Sequence, residues 1–142
     1  MWKNQGMNME INIFEQYVKE PCALSIAQMQ AIHQELVEEI EKDADAMELY
    51  DELVSVITRY AAIRAGWQQL PREEKMERDS FRTSCHNSVI THFNMLARYL
   101  KMQGKRAEWR DKLGYEEDDK YFRKTIGDFA CYIAFVNSLC AR

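Results

Sequence analysis

The sequence predicts an all-α fold, a single-domain helical bundle of four main helices plus two or three short ones. Three observations lead there. Glycine and proline are scarce, at 5 and 2 among 142 residues, too few for a chain of many short strands and tight turns. Met, Leu, Ala, Glu, Lys and Gln, the residues that lose least on entering a helix, are plentiful. Apolar residues recur at spacings of three and four along most of the chain. With 46% apolar and 30% charged residues the chain can fill one core and solvate its surface, which excludes a disordered polymer.

The elements follow in order, and residues 1–142 read as one domain. Residues 1–20 read as a loosely packed N-terminal segment, with an amphipathic stretch (Ile11, Ile13, Phe14, Tyr17, Val18) closed by Pro21. Ser25 with Gln28 three residues on is a capping-box pattern. It opens a helix to about Lys42, with Ile26, Met29, Ile32, His33, Leu36, Val37 and Ile40 at helical spacing. Asp45 with Glu48 repeats the signal and opens a long helix to about Leu70, with Leu49, Leu53, Val56, Ile57, Tyr60, Ile63 and Trp67 on one face. Pro71 followed by Glu73 and Glu74 predicts a fresh short helix. A further long helix is expected from about Ser80 to Gln103, with Gly104 as its cap. A short helix over about Lys105–Leu113 ends at Gly114. The acids of 116–119 then open a last helix reaching almost to the terminus.

Net charge is −4, so nothing in the total favours nucleic acid. The charge is unevenly spread. From Glu35 to Glu52 nine acids face Lys42 alone, and from Arg98 to Lys112 six bases stand against Glu108 and Asp111. Two solvated faces would explain this, and so would a bipolar surface that steers a charged partner or a second copy. Nucleic-acid binding would use Arg98, Lys101, Lys105, Arg106 and Arg110, with Tyr99 and Trp109 as stacking groups; the neighbouring acids argue against it. Neither a secretory leader pattern nor an apolar run of about 18 residues is present. The four cysteines (Cys22, Cys85, Cys131, Cys140) form no CxxC pair. Reduced thiols in a cytoplasmic protein, with no membrane association, are the expectation.

Candidate functional residues lie where polar side chains invade apolar faces. On the Ser80–Gln103 helix, Arg82, His86 and His92 fall inside the arc of Phe81, Cys85, Val89, Phe93, Leu96, Tyr99 and Leu100. Arg64 shares a side with Ile57, Tyr60 and Trp67. From Ile126 to Ala141 the only strongly polar residues are Asp128 and Asn137, which marks a central helix. Its stripe of Gly127, Cys131, Ala134 and Ser138 would let another helix approach closely. An unpaired carboxylate there would be costly, so Asp128 is expected to pair with Arg64, Arg82 or His86. The pair would either set the register of the bundle or form a polar site, with His86 as acid–base group, Asp128 orienting it and Arg82 holding an anionic substrate group. Asn87, Trp109 and Arg110 are further ligand-binding candidates. No metal or cofactor is expected: His33, His86 and His92 lack ligand spacing, Ser84, Ser88 and Cys85 lack an activating motif, and glycine-rich phosphate loops are absent.

The runs RTSCHNSVITHFNMLARYL, WRDKLG and DDKYFRKTIGDFACYIAF resemble a small bacterial all-helical family, a domain of unknown function, over about residues 80–142. The resemblance implies a bacterial cytoplasmic protein and transfers no activity. It singles out Arg82, His86, Asn87, Trp109, Arg110, Arg123, Gly127 and Asp128. The expected function is a non-enzymatic domain that binds another protein or itself. The alternative is an enzyme or small-anion binder centred on Arg82, His86 and Asp128.

Overall fold

The computed structural model describes residues 24–118 and 121–140. The expected N-terminal segment, Cys22, Asp119 and the side chain of Cys140 lie outside the described part. Five helices and no strand occur among the described residues: α1 (Ile26–Ile40), α2 (Ala44–Trp67), α3 (Arg72–Met102), α4 (Glu108–Asp111) and α5 (Phe122–Cys140). The all-α bundle with four long helices is therefore what forms.

Helix α2 lies at the centre, packed along α3 and α5, while α1 closes over α2, α4 and α5. The predicted stripes supply the core: Met29, Ile32, Leu36 and Ile40 from α1, and Leu53, Ile57 and Tyr60 from α2. From α3 come Val89, Phe93, Leu96 and Leu100. Every residue from Thr125 to Ile133 of α5 is buried, as expected of a helix apolar on all sides. Phe93 joins the layers, with its ring 6.2 Å from Trp109 and 5.8 Å from Phe129. No described helix is long and apolar enough to cross a membrane.

The ends show where local signals ruled and where they did not. Ser25 and Gln28 form the reciprocal capping box as read. The cap of α2, however, is Asp43 and not Asp45. Its Oδ1 accepts from the backbone N–H of Asp45 at 3.0 Å and of Ala46 at 3.2 Å, which leaves Asp45 in the first turn near the positive end of the dipole. Helix α2 stops at Trp67. Pro71 stands just before the first helical residue, extended at φ −60° and ψ 154°. The short helix expected after Pro71 and the one expected from Ser80 are one helix, because no Gly or Pro interrupts residues 72–102. Its C-terminus is a Schellman motif: Gly104 takes φ +72°, its N–H reaches Lys101 O, and Lys105 N–H reaches Leu100 O. The next helix shrinks to Glu108–Asp111. Residues 116–118 form a turn rather than opening α5, which starts at Phe122.

Two apolar assignments fail, the first being Ile26, which stands at the start of α1 and is 46% exposed. Phe81 is 54% exposed, and no residue of α3 before Cys85 is buried. Cys85 and Cys131 are buried and in no disulfide.

Candidate functional site

Two polar clusters emerge, each built round a largely buried arginine. The first joins α2, α3 and α5. Arg64 Nη2 donates to Asp128 Oδ1 at 2.7 Å, and the carboxylate is buried to 1% exposure. Arg64 Nη1 donates to the Tyr60 hydroxyl at 3.2 Å, and Lys124 Nζ lies 3.9 Å from the same carboxylate oxygen. Gly127 makes this possible. A Cβ there would fall on Arg64 Nη1 and within 2.8 Å of the Tyr60 hydroxyl. The small-residue stripe thus admits the arginine head as well as a helix backbone.

The other members of the expected site are employed elsewhere. Arg82 pairs with Asp79 at 3.2 Å and lies 4.3 Å above the Trp67 ring. His86 Nε2–H donates to the carbonyl of Arg123 at 2.9 Å, and its ring meets Tyr60 edge-on at 5.1 Å. The carbonyl, not Asp128, orients the imidazole, so the expected acid–base dyad does not form. Burial pulls the His86 pKa below its ordinary value, and the cations Arg123, Arg64 and Arg82 push it further down, outweighing the hydrogen bond that raises it. His86 Nδ1 is buried with no hydrogen-bond partner among the described residues. Asn87 accepts from Arg123 Nη2 at 2.7 Å, tying α3 to α5. With a carboxylate satisfied by arginine and an imidazole aimed at a backbone carbonyl, this cluster holds helices together.

The second cluster arises from the two charge runs, which turn out to face each other. Lys112 Nζ meets Glu35 at 2.6 Å, Arg106 meets Glu39 at 3.8 Å, and Lys105 meets Asp43 at 3.9 Å. Glu35, Glu39 and Asp43 recur every four residues along α1 and its end, so the seam follows one face. Tyr99 closes it, donating to both carboxylate oxygens of Asp43 at 3.0 and 2.8 Å. That bond holds Asp43 below the usual carboxylate range and pushes the Tyr99 hydroxyl up to about 12. Part of the expected bipolar surface is therefore internal pairing.

What the seam leaves over is Arg98, Lys101 and Arg110, none of which forms an ion pair among the described residues. Arg110 is 2% exposed, yet neutral acceptors hold it. Its Nε donates to Asn94 Oδ1 at 2.8 Å, its Nη1 to Gly114 O at 2.9 Å, and its Cζ sits 4.3 Å from the Tyr115 ring centre. Trp109 beside it is 1% exposed and packs in the core, its Nε1 without a partner among the described residues. Asn94 and Tyr115 escape sequence reading as site residues. Sixteen residues separate Asn94 from Arg110, and no spacing rule spans a helix end, a Schellman turn and a second helix. The excess of acids over 35–52, set against the bases of 98–112, was the signal that some cations would be consumed internally.

No family model, curated protein or solved structure matches the chain.

Proposed function

We propose that this chain is a non-enzymatic helical interaction domain that associates with a second copy of itself through the start of α3. The observation that carries this reading is the start of α3, residues 72–84, which has no buried residue and displays Met76 at 70% and Phe81 at 54% exposure. Phe81 borders a cleft of about 280 Å³ formed with Ile63, Trp67 and Leu70. An apolar pair beside an apolar recess is a surface with both halves of a contact.

The choice of a second copy rests on charge. Between Arg72 and Arg82 four bases (Arg72, Lys75, Arg78, Arg82) alternate with four acids (Glu73, Glu74, Glu77, Asp79). A segment with no net charge offers little to a strongly basic or acidic partner, whereas a second copy brings bases and acids in equal number to the same seam. Each buried Phe or Met is worth about 1.5–3 kcal/mol, and four of them across a twofold oppose an association cost of about 4–15 kcal/mol. Self-association is therefore weak, with a dissociation constant on the micromolar scale or above. A reducing, cytoplasmic setting fits Cys85 and Cys131 as buried thiols.

Light scattering behind size exclusion, over a concentration series from about 10 to about 500 µM, tests the reading at the affinity expected. The wild-type mass should rise toward a dimer, and Phe81→Asp should remain monomeric with an unchanged helical signal. A wild-type monomer throughout the series, or an F81D protein that dimerises equally, overturns it.

A further inference from the structure

Arginine 110 is the most buried charged group of the second cluster, and it forms no ion pair among the described residues. A buried cation is costly to leave uncompensated, and neutral acceptors offset that only in part. Asp111 acts on it only at a distance: this carboxylate accepts the Tyr115 hydroxyl at 2.8 Å and favours the Arg110 cation without forming an ion pair with it. Nη2 of Arg110 makes no hydrogen bond among the described residues, while Nε and Nη1 are fixed. The guanidinium is thus oriented by its own bonds, with one nitrogen, Nη2, left over.

That arginine lines a cleft of about 410 Å³ between the C-terminal half of α3 and the turn after α4. Arg98 and Lys101, three apart on α3, line the same cleft, and Ala97 is small enough to leave its floor open. Three cations converge on one recess with no opposing carboxylate among its lining residues. A single carboxylate would neutralise only one of them; a dianion matches them better, and a fixed arginine N–H suits one oxygen of a phosphate while Arg98 and Lys101 serve the others.

We propose that this cleft is a binding site for a phosphate monoester dianion, with Arg110 as the fixed donor and Arg98 and Lys101 closing on it from α3. The site is independent of self-association through Met76 and Phe81. Extended nucleic acid fits it poorly, because the remaining cations are spent: Lys105, Arg106 and Lys112 pair with acids, Tyr99 is tied to Asp43, and Trp109 is in the core.

The test is titration calorimetry of the full chain with inorganic phosphate and, separately, with glycerol 3-phosphate, against sodium acetate at matched ionic strength. Both phosphates should bind and acetate should not; the tighter of the two tells whether the natural ligand is the free ion or an organic phosphate. Arg98→Gln with Lys101→Gln changes two solvent-facing side chains and should keep the wild-type melting temperature. It should weaken phosphate binding by about tenfold or more for each lost charge-assisted contact. Arg110→Lys, which keeps the charge and loses the fork, should weaken it as well. Phosphate binding no stronger than acetate binding, or undiminished in R98Q/K101Q, overturns the proposal.

Discussion

Arg64 and Arg110 are both withdrawn from solvent by neighbouring helices, yet their surroundings differ in one respect. Arg64 meets the carboxylate of Asp128 at 2.7 Å, whereas Arg110 meets the amide oxygen of Asn94 and the carbonyl of Gly114. In the first place the charge is consumed within the fold, and the result is a tie between α2 and α5. In the second the charge is held in position by neutral acceptors, with no ion pair among the described residues, beside an open cleft. Burial alone therefore does not distinguish a structural arginine from a binding one; the sign of the acceptor does.

The comparison is broken most severely at Asp128. Asp128→Ala strands Arg64 against Gly127 and should cost about 3–5 kcal/mol in urea unfolding, the usual consequence of removing one member of a buried pair. Replacing both partners together, Arg64→Met with Asp128→Leu, should recover much of that loss, because the stranded charge goes with its partner. A D128A protein as stable as wild type would mean that the pair does not tie the helices.

A smaller effect comes from pH. His86 sits among Arg64, Arg82 and Arg123, and its pKa in the fold is below the unfolded value. Below the unfolded pKa the unfolded chain therefore binds more protons than the native one, so stability must fall as pH drops through about 6.5. The slope for this one group is at most about 1.4 kcal/mol per pH unit. His33, lowered by its own burial, adds a contribution of the same sign. The melting temperature should be lower at about pH 5.5 than at about pH 7.5, and His86→Gln should flatten part of that slope while the His33 part remains. An identical slope in H86Q would show that His86 is not squeezed by the first cluster.

The smallest expected effect sharpens the contrast by making the second arginine resemble the first. Asn94→Asp gives Arg110 a carboxylate where it had an amide, replacing a neutral acceptor with a charged one, a gain of about 1 kcal/mol in thermal unfolding. The same change should weaken phosphate binding in the calorimeter, because the cation is then neutralised from within. Stronger phosphate binding in N94D would contradict the role given to the acceptor's sign.

Much of this was legible in one dimension. Helix spacing, the Ser25–Gln28 box, the Gly104 stop and the all-round apolar α5 are set by neighbours within four residues, so the chain carried them openly. So did the need of Asp128 for a cation, since burial of α5 followed from its pattern. Where competing local signals lay close together, reading failed: Asp43 took the cap that Asp45 also offered, and Pro71 closed a turn instead of isolating a short helix.

The sequence by itself determined the fold class, the core stripes and the short list of misplaced charges. Only the tertiary structure decided which charge met which. Arg64 rather than Arg82 or His86 reached Asp128 because the bare Gly127 let it in. The acids of α1 and the α2 cap met three of the six bases and left three, because electrostatic pairing is set by distance through space, and sequence separation places no bound on that.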